Sequence, residues 1–186
     1  AYMTGTKRPF AADLTADELN HLRALYAGEV TLVDRWVGRL LEKIEDLGLY
    51  ENTAVLFTSD HGTYLGEHGY LGKQDHLYEE VTHVPLMIRM PDSEETVHGR
   101  CGSIVQSPDL MPTILELAAV NPPATVQAES LIPLMRRDKK VKEREIALSS
   151  ASLIRPWMSP KIVWITVTSK EWTLLASGKD VPPKDQ

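Results

Sequence analysis

The longest regular pattern in the chain is a row of apolar residues at Leu19, Leu22, Leu25, Tyr26, Val30, Val33, Val37, Leu40, Leu41, Ile44 and Leu47. Spacings of three and four predict one helix with one buried apolar face. Thr15 and, three residues later, Glu18 stand where a capping box would start it, each side chain satisfying the other's free backbone N–H. Gly48 supplies the stop. Gly28 and Gly38 lie inside the pattern and mark a kink or the close approach of a neighbour.

The pattern changes at Thr53. Thr53 to Thr58 is a continuous apolar and β-branched run, which predicts a strand buried on both faces of a parallel sheet. Ser59, Asp60, His61 and Gly62 follow at its carboxyl end, and a glycine-rich loop runs to Lys73. Leu77 to Thr82 predicts a helical turn. Val84 to Met90 predicts a second strand, with Pro85 near its start, where a missing N–H is tolerated. Ser107 as cap and Pro108 in first position begin a helix that continues from Leu110 to Ala119 and ends at Asn121, Pro122 and Pro123. Residues 124–143 read as a surface segment with a short helix near Leu131 to Arg136. Glu145 to Ser149 predicts a strand, and Ile162 to Thr168 with Glu171 to Ala176 an antiparallel hairpin. The order predicts an α/β fold: a layered, mostly parallel sheet flanked by helices, then the start of a small antiparallel C-terminal subdomain. Residues 1–150 would form the first part and residues 151–186 the second.

Composition narrows the function classes. Among 186 residues, 42% are hydrophobic, enough to bury a core. The chain has 20 basic and 26 acidic residues and a formal net charge of -6. That balance disfavours nucleic acid and anionic membranes as partners. The short basic cluster of Arg136, Arg137, Lys139 and Lys140 reads as a solvated turn. A lone cysteine, Cys101, excludes an internal disulfide framework and leaves the compartment open. No uninterrupted apolar stretch is long enough to span a bilayer. Neither terminus reads as a natural start or close, so the sequence is expected to be a piece of a longer chain.

The candidate chemistry gathers near residue 60. Open α/β sheets place ligands beyond the carboxyl ends of their strands. Asp60 offers a hard anionic oxygen suited to Ca²⁺ or Mg²⁺. His61 offers a nitrogen ligand, or a proton for a bound oxyanion. Gly62, Gly66, Gly69 and Gly72 let backbone approach a ligand closely. Lys73 adds a cation useful against sulfate or phosphate. A strand-ending Asp also caps turns and glycines are common in loops, so spacing alone leaves a ligand site and a plain turn both open.

The motifs go further. The chain reads Leu56, Phe57, Thr58, Ser59, Asp60, His61, Gly62; then Leu65 to Gly69; then Gly72 and Lys73; then Tyr78 and Glu79; then Thr82 to Leu86. Val33, Asp34, Gly38, Arg39 and Leu40 precede them, with Asn52 and Thr53 before the strand. Asp109 to Thr113 and Ser130 to Leu134 follow. Together these resemble the second half of the sulfatase family, within the alkaline phosphatase superfamily, over about residues 19–135. The Trp164 to Leu175 hairpin resembles the start of that family's small C-terminal sheet.

The resemblance implies a sulfuric ester hydrolase with a partial alkaline-phosphatase-like fold. It implies that Asp60 ligates a divalent metal, most often Ca²⁺ with Mg²⁺ or Mn²⁺ as alternatives. It implies that His61 belongs to the same site as ligand or catalytic hydrogen-bond donor, and that Lys73 contacts the sulfate group in binding and catalysis. Glu67 and His68 are expected to fix the loop. His83 is expected to be a partly buried, satisfied histidine, and His76 a residue near the substrate. Trp36 is expected in packing, and Trp157, Trp164 and Trp172 in the core or in hairpin pairs.

The family's nucleophile is a cysteine in a Cys-x-Pro-Ser-Arg motif, oxidised to formylglycine. The sequence lacks that motif, since Cys101 is followed by Gly102, Ser103 and Ile104. The family's paired N-terminal aspartates are also missing. The isolated chain is therefore expected to be inactive. Two other readings stay open. One is a phosphodiesterase or phosphonate monoester hydrolase of the same superfamily. The other is a non-catalytic module that binds a partner or self-associates as a homo-oligomer through an uncovered sheet edge.

Overall fold

The computed structural model describes residues 11–73, 76–92, 98–138, 140–152 and 162–179. The chain divides into two units, Ala1–Asp92 and Ser93–Gln186.

In the first unit, helix α1 spans Ala16–Asp46. Its capping box forms as expected: the Thr15 N–H donates to Glu18 Oε2 at 2.8 Å, and the Glu18 N–H donates to Thr15 Oγ1 at 3.3 Å. At the other end Gly48 takes φ +65°, and the Leu49 N–H reaches back to the Ile44 carbonyl at 3.0 Å. That left-handed turn suits glycine and satisfies carbonyls the helix leaves over. The expected buried face is not found. Among the described residues α1 buries none of its side chains, and Leu25, Tyr26, Val30, Val33, Trp36, Leu40 and Leu47 are exposed. The periodicity fixed which residues share a face. Among the described residues nothing covers that face along its length.

Strand β1, Val55–Thr58, pairs with β4, Leu86–Arg89. Their register sets Val55 against Arg89 and Thr58 against Leu86, and the pairing is antiparallel. Among the described residues every strand pairing is antiparallel, where the sequence pattern pointed to a mostly parallel sheet. The reason lies in the connection. Parallel neighbours need a crossover that returns the chain to the starting end of the strand. Among its described residues the link carries the two-residue strands β2, Tyr64–Leu65, and β3, Leu71–Gly72, a short turn at Glu67–Gly69 and the one-turn helix α2, Glu79–Thr82. It folds back on the carboxyl end of β1, so the chain re-enters from that same end.

In the second unit a turn at Ser107–Asp109 leads into α3, Leu110–Leu117. Gln106, not Ser107, holds the extended cap position, and its N–H donates to Asp109 Oδ2 at 2.8 Å. A short helix α4 covers Ile132–Met135. Leu131, Ile132, Thr113 and Asp109 form the buried centre of this unit. The Asp109 carboxylate is 1% exposed and is gripped by both terminal nitrogens of Arg144, at 2.5 and 2.8 Å. Thr113 Oγ1 donates to the Asp109 carbonyl at 2.6 Å and accepts the Leu131 N–H at 2.8 Å. Strands β5, Ala147–Ser152, β6, Ile162–Thr168, and β7, Thr173–Lys179, make an antiparallel sheet in the order β5–β6–β7. The expected hairpin is thus present, joined by a turn in which the Ser169 N–H donates to the Trp172 carbonyl at 2.8 Å. Its third strand is the one expected near Glu145 to Ser149. Among the described residues, no helix is long and apolar enough to cross a membrane.

Candidate active site

Asp60 and His61 leave the carboxyl end of β1, as the sequence implied. The Asp60 side chain is 85% exposed, with Oδ1 accepting the His61 N–H at 2.9 Å. Its Oδ2 lies 3.5 Å from His61 Nε2. On the far side of the ring, His61 Nδ1 stands 2.8 Å from the Gly62 carbonyl. A carbonyl only accepts, so Nδ1 is the donor to Gly62 and Nε2 is the ring nitrogen that faces Asp60. Metal-binding histidines are held in this way, one nitrogen fixed by a carbonyl and the other offered. Two donors on adjacent positions of a cation bound at about 2.4 Å stand about 3.4 Å apart. The Asp60–His61 pair fits that separation. Among the described residues no group of three or more His, Cys, Asp or Glu gathers to hold a metal.

What fixes the pair is Gly62. Its N–H donates to the Val81 carbonyl at 2.9 Å. A Cβ at this position would stand 1.9 Å from the Glu80 carbonyl oxygen. Only glycine lets the loop lie on the α2 backbone this closely.

Lys73 stands exposed immediately after β3. Its backbone direction follows the short ribbon of β2 and β3, in which Tyr64 pairs with Gly72 and Leu65 with Leu71. Tyr64 is the hub under this ribbon, at 0% exposure. Its hydroxyl donates to the His76 carbonyl at 2.7 Å and accepts the Tyr78 N–H at 3.1 Å. Burial raises the Tyr64 pKa, although the Tyr78 hydrogen bond opposes the rise. The His68 ring stacks on Tyr78 at 3.9 Å, and the Tyr70 ring on His76 at 4.8 Å. His68 takes φ +53°, and its Nε2 lies 3.4 Å from Glu80 Oε1. These contacts agree with a loop-fixing role for His68. Glu67 Oε2 accepts the Leu65 N–H at 2.6 Å. Burial would raise the Glu67 pKa, but the hydrogen bonds from the Leu65 and Glu67 N–H groups and the charge of Arg23 hold it below the usual value.

Other expectations met mixed outcomes. His83 is exposed rather than partly buried, because it stands where α2 ends. Trp36 is 58% exposed, with the Arg39 guanidinium 4.9 Å from its ring centre. Trp172 is also exposed, whereas Trp164 is half-buried in the central strand β6. Trp157 lies outside the described residues. Cys101 is an exposed free thiol. Sequence reasoning missed Arg23 entirely. It sits one turn after Leu19 on α1, and its Nε donates to the Leu65 carbonyl at 2.9 Å. A polar residue on a helix carries no signal of so distant a partner.

Comparison with known proteins agrees with these motifs. The sulfatase family pattern matches residues 2–120. An N-acetylglucosamine-6-O-sulfatase of Bacteroides thetaiotaomicron is 37% identical over 115 residues, covering 62% of this chain and 20% of that protein. The chain thus spans about a fifth of the length of this curated relative. Among solved structures, the phosphonate monoester hydrolase SpPMH from Silicibacter pomeroyi superposes with a TM-score of 0.74 at 26% identity, over 90% of this chain and 37% of that one. BT4656, solved in complex with its substrate D-glucosamine-2-N,6-O-disulfate, gives 0.61 at 29% identity, over 78% and 29%. This chain belongs to the sulfatase family.

Proposed function

We propose that the chain supplies the cation-binding and oxyanion-binding part of a sulfuric ester hydrolase, with the nucleophile contributed by a part of the family domain that this sequence does not include. The single observation that carries this reading is the Asp60–His61 pair, with Oδ2 and Nε2 3.5 Å apart and Nδ1 anchored on the Gly62 carbonyl. A divalent cation there, Ca²⁺ before Mg²⁺ or Mn²⁺, would supply positive charge against the charge that develops on the ester oxygens. Asp60 brings the anionic oxygen and His61 the neutral nitrogen. Lys73 brings a compact charge for the non-bridging oxygens of the ester. The substrate class rests on the relatives, one named for sulfate removal from N-acetylglucosamine and one solved with a disulfated glucosamine.

The remaining parts of the proposal follow. The nucleophile is a formylglycine outside residues 1–186, so the isolated chain does not turn over. In the whole protein the apolar stripe of α1 packs against the rest of the domain, and β1 gains its parallel neighbours there. Gly28 and Gly38 agree with that, since a Cβ at either would meet nothing within 4 Å in this chain. In the isolated chain the same stripe drives self-association. Residues 151–186 begin the small C-terminal subdomain.

The test is Ca²⁺ titration of the chain by NMR, at constant ionic strength. Saturable shifts at Asp60 and His61 that vanish in Asp60→Asn are expected. Equal shifts in wild type and variant would reject the pair as ligands. A second reading keeps the fold and exchanges sulfur for phosphorus, favoured by the likeness to the phosphonate monoester hydrolase. Parallel assays of the longer protein on an aryl sulfate and an aryl phosphonate decide between the two.

A further inference from the structure

We infer that Arg23 and Glu67 are positioning residues that hold the Lys73 turn against α1, and that they set how firmly the chain grips an oxyanion. The inference rests on the reading of Lys73 given above.

The ribbon that aims Lys73 is only two residues long on each strand. A ribbon that short does not hold a direction by its own hydrogen bonds. Something outside it must fix it. Tyr64 anchors one residue of β2 through its buried ring. Leu65, the other residue, is held at both backbone groups. Its carbonyl accepts from Arg23 Nε at 2.9 Å, and its N–H donates to Glu67 Oε2 at 2.6 Å. The second Glu67 oxygen lies 3.9 Å from Arg23 Nη2, so the two side chains close a ring around Leu65. The base of this strut is a continuous 31-residue helix, a rigid support.

Gly66 shows how closely the loop is seated. It takes φ +116°, and a Cβ there would stand 3.0 Å from both Leu19 methyl carbons and 3.2 Å from Arg23 Nη2. The loop therefore lies directly on the Leu19 and Arg23 turn of α1. Leu71 pairs with Leu65, and Lys73 follows two residues later. Release of Leu65 frees the strand that precedes Lys73. An arginine suits this task because its planar fork donates in two directions at once, to the carbonyl and toward the carboxylate.

The experiment uses the labelled 186-residue chain, with inorganic sulfate as the probe and chloride at equal ionic strength as the control. Wild type is expected to show saturable shifts at Lys73. In Arg23→Gln, amide exchange of Tyr64, Leu65 and Leu71 should rise about tenfold. The sulfate response at Lys73 should weaken severalfold, while exchange at Thr113 and Leu131 stays unchanged. Glu67→Gln should give a smaller change of the same sign. Arg23→Lys, which keeps a charged donor, should restore part of the response. A purely structural residue would raise exchange without altering the Lys73 response, and that result overturns the inference. So does an Arg23→Gln chain that binds sulfate as the wild type does. A wild-type chain whose Lys73 ignores sulfate overturns the oxyanion reading itself, and with it the role assigned to the strut.

Discussion

The buried pair Asp109–Arg144 offers the sharpest test of the energetics. Asp109 sits in the centre of the second unit and accepts four hydrogen bonds, from the Gln106 N–H, the Glu129 N–H and two Arg144 nitrogens. Replacing Arg144 by Met removes both side-chain donors and the only charge facing the carboxylate among these partners. Breaking a buried pair from one side costs about 3–5 kcal/mol, because the remaining charge is left without compensation. The Arg144 side chain is 27% exposed, so water can reach the gap. The lower end, about 3 kcal/mol, is therefore expected. With a urea slope of about 2 kcal/mol per molar, the midpoint should fall by about 1.5 M, followed at the Leu131 amide. The double variant Asp109→Asn with Arg144→Met should recover part of that loss, because the uncompensated charge is gone. The pH dependence has a definite sign. Burial would raise the Asp109 pKa, but Arg144 and the Gln106 N–H hold it below the usual value. The depressed pKa means that the contribution is present above about pH 3.9 and is lost as pH falls through the lower, folded value. Arg144→Met should bring acid unfolding of this unit to higher pH. A midpoint shift under about 0.3 M, with an unchanged acid limb, would refute the reasoning.

Three further outcomes are expected. Gly62→Ala cannot keep the present loop, since its Cβ would meet the Glu80 carbonyl at 1.9 Å; Ca²⁺-dependent shifts at Asp60 and His61 should disappear while the second unit stays folded. Thr113→Val keeps the shape but leaves the buried Leu131 N–H unpaired, so stability of the second unit should fall by about 1–3 kcal/mol in a urea titration. Val33→Glu with Leu40→Glu on the exposed face of α1 should shift the isolated chain toward monomer in light scattering, and should abolish folding of the longer protein if that face is its internal contact.

Much of the local structure was written in the sequence. Thr15, Glu18 and Gly48 delimited α1 because capping chemistry acts within a few residues. The alternation from Ile162 onward gave the C-terminal hairpin for the same reason: strand pattern and turn chemistry are short-range. The motif around Asp60, His61 and Lys73 marked the candidate site, since its residue types and spacing stand in consecutive sequence. The direction of β4 was not legible. An apolar strand buried in a parallel sheet and one paired with an antiparallel neighbour read alike, and only the path of the intervening chain distinguishes them. Nor was the fate of the apolar stripe of α1. Periodicity tells which residues share a face, and contact partners decide whether that face is covered.

The sequence by itself determined the family, the ends of the long helix and the residues offered for chemistry, because those depend on neighbours within a few positions. Only the tertiary structure decided how these residues are held. It made Gly62 indispensable through the Glu80 backbone and joined Arg23 to Leu65 across 42 positions of chain. It likewise paired Asp109 with Arg144 across 35 positions. Such contacts depend on where the folded backbone brings distant residues together, and residue type along the chain does not record that.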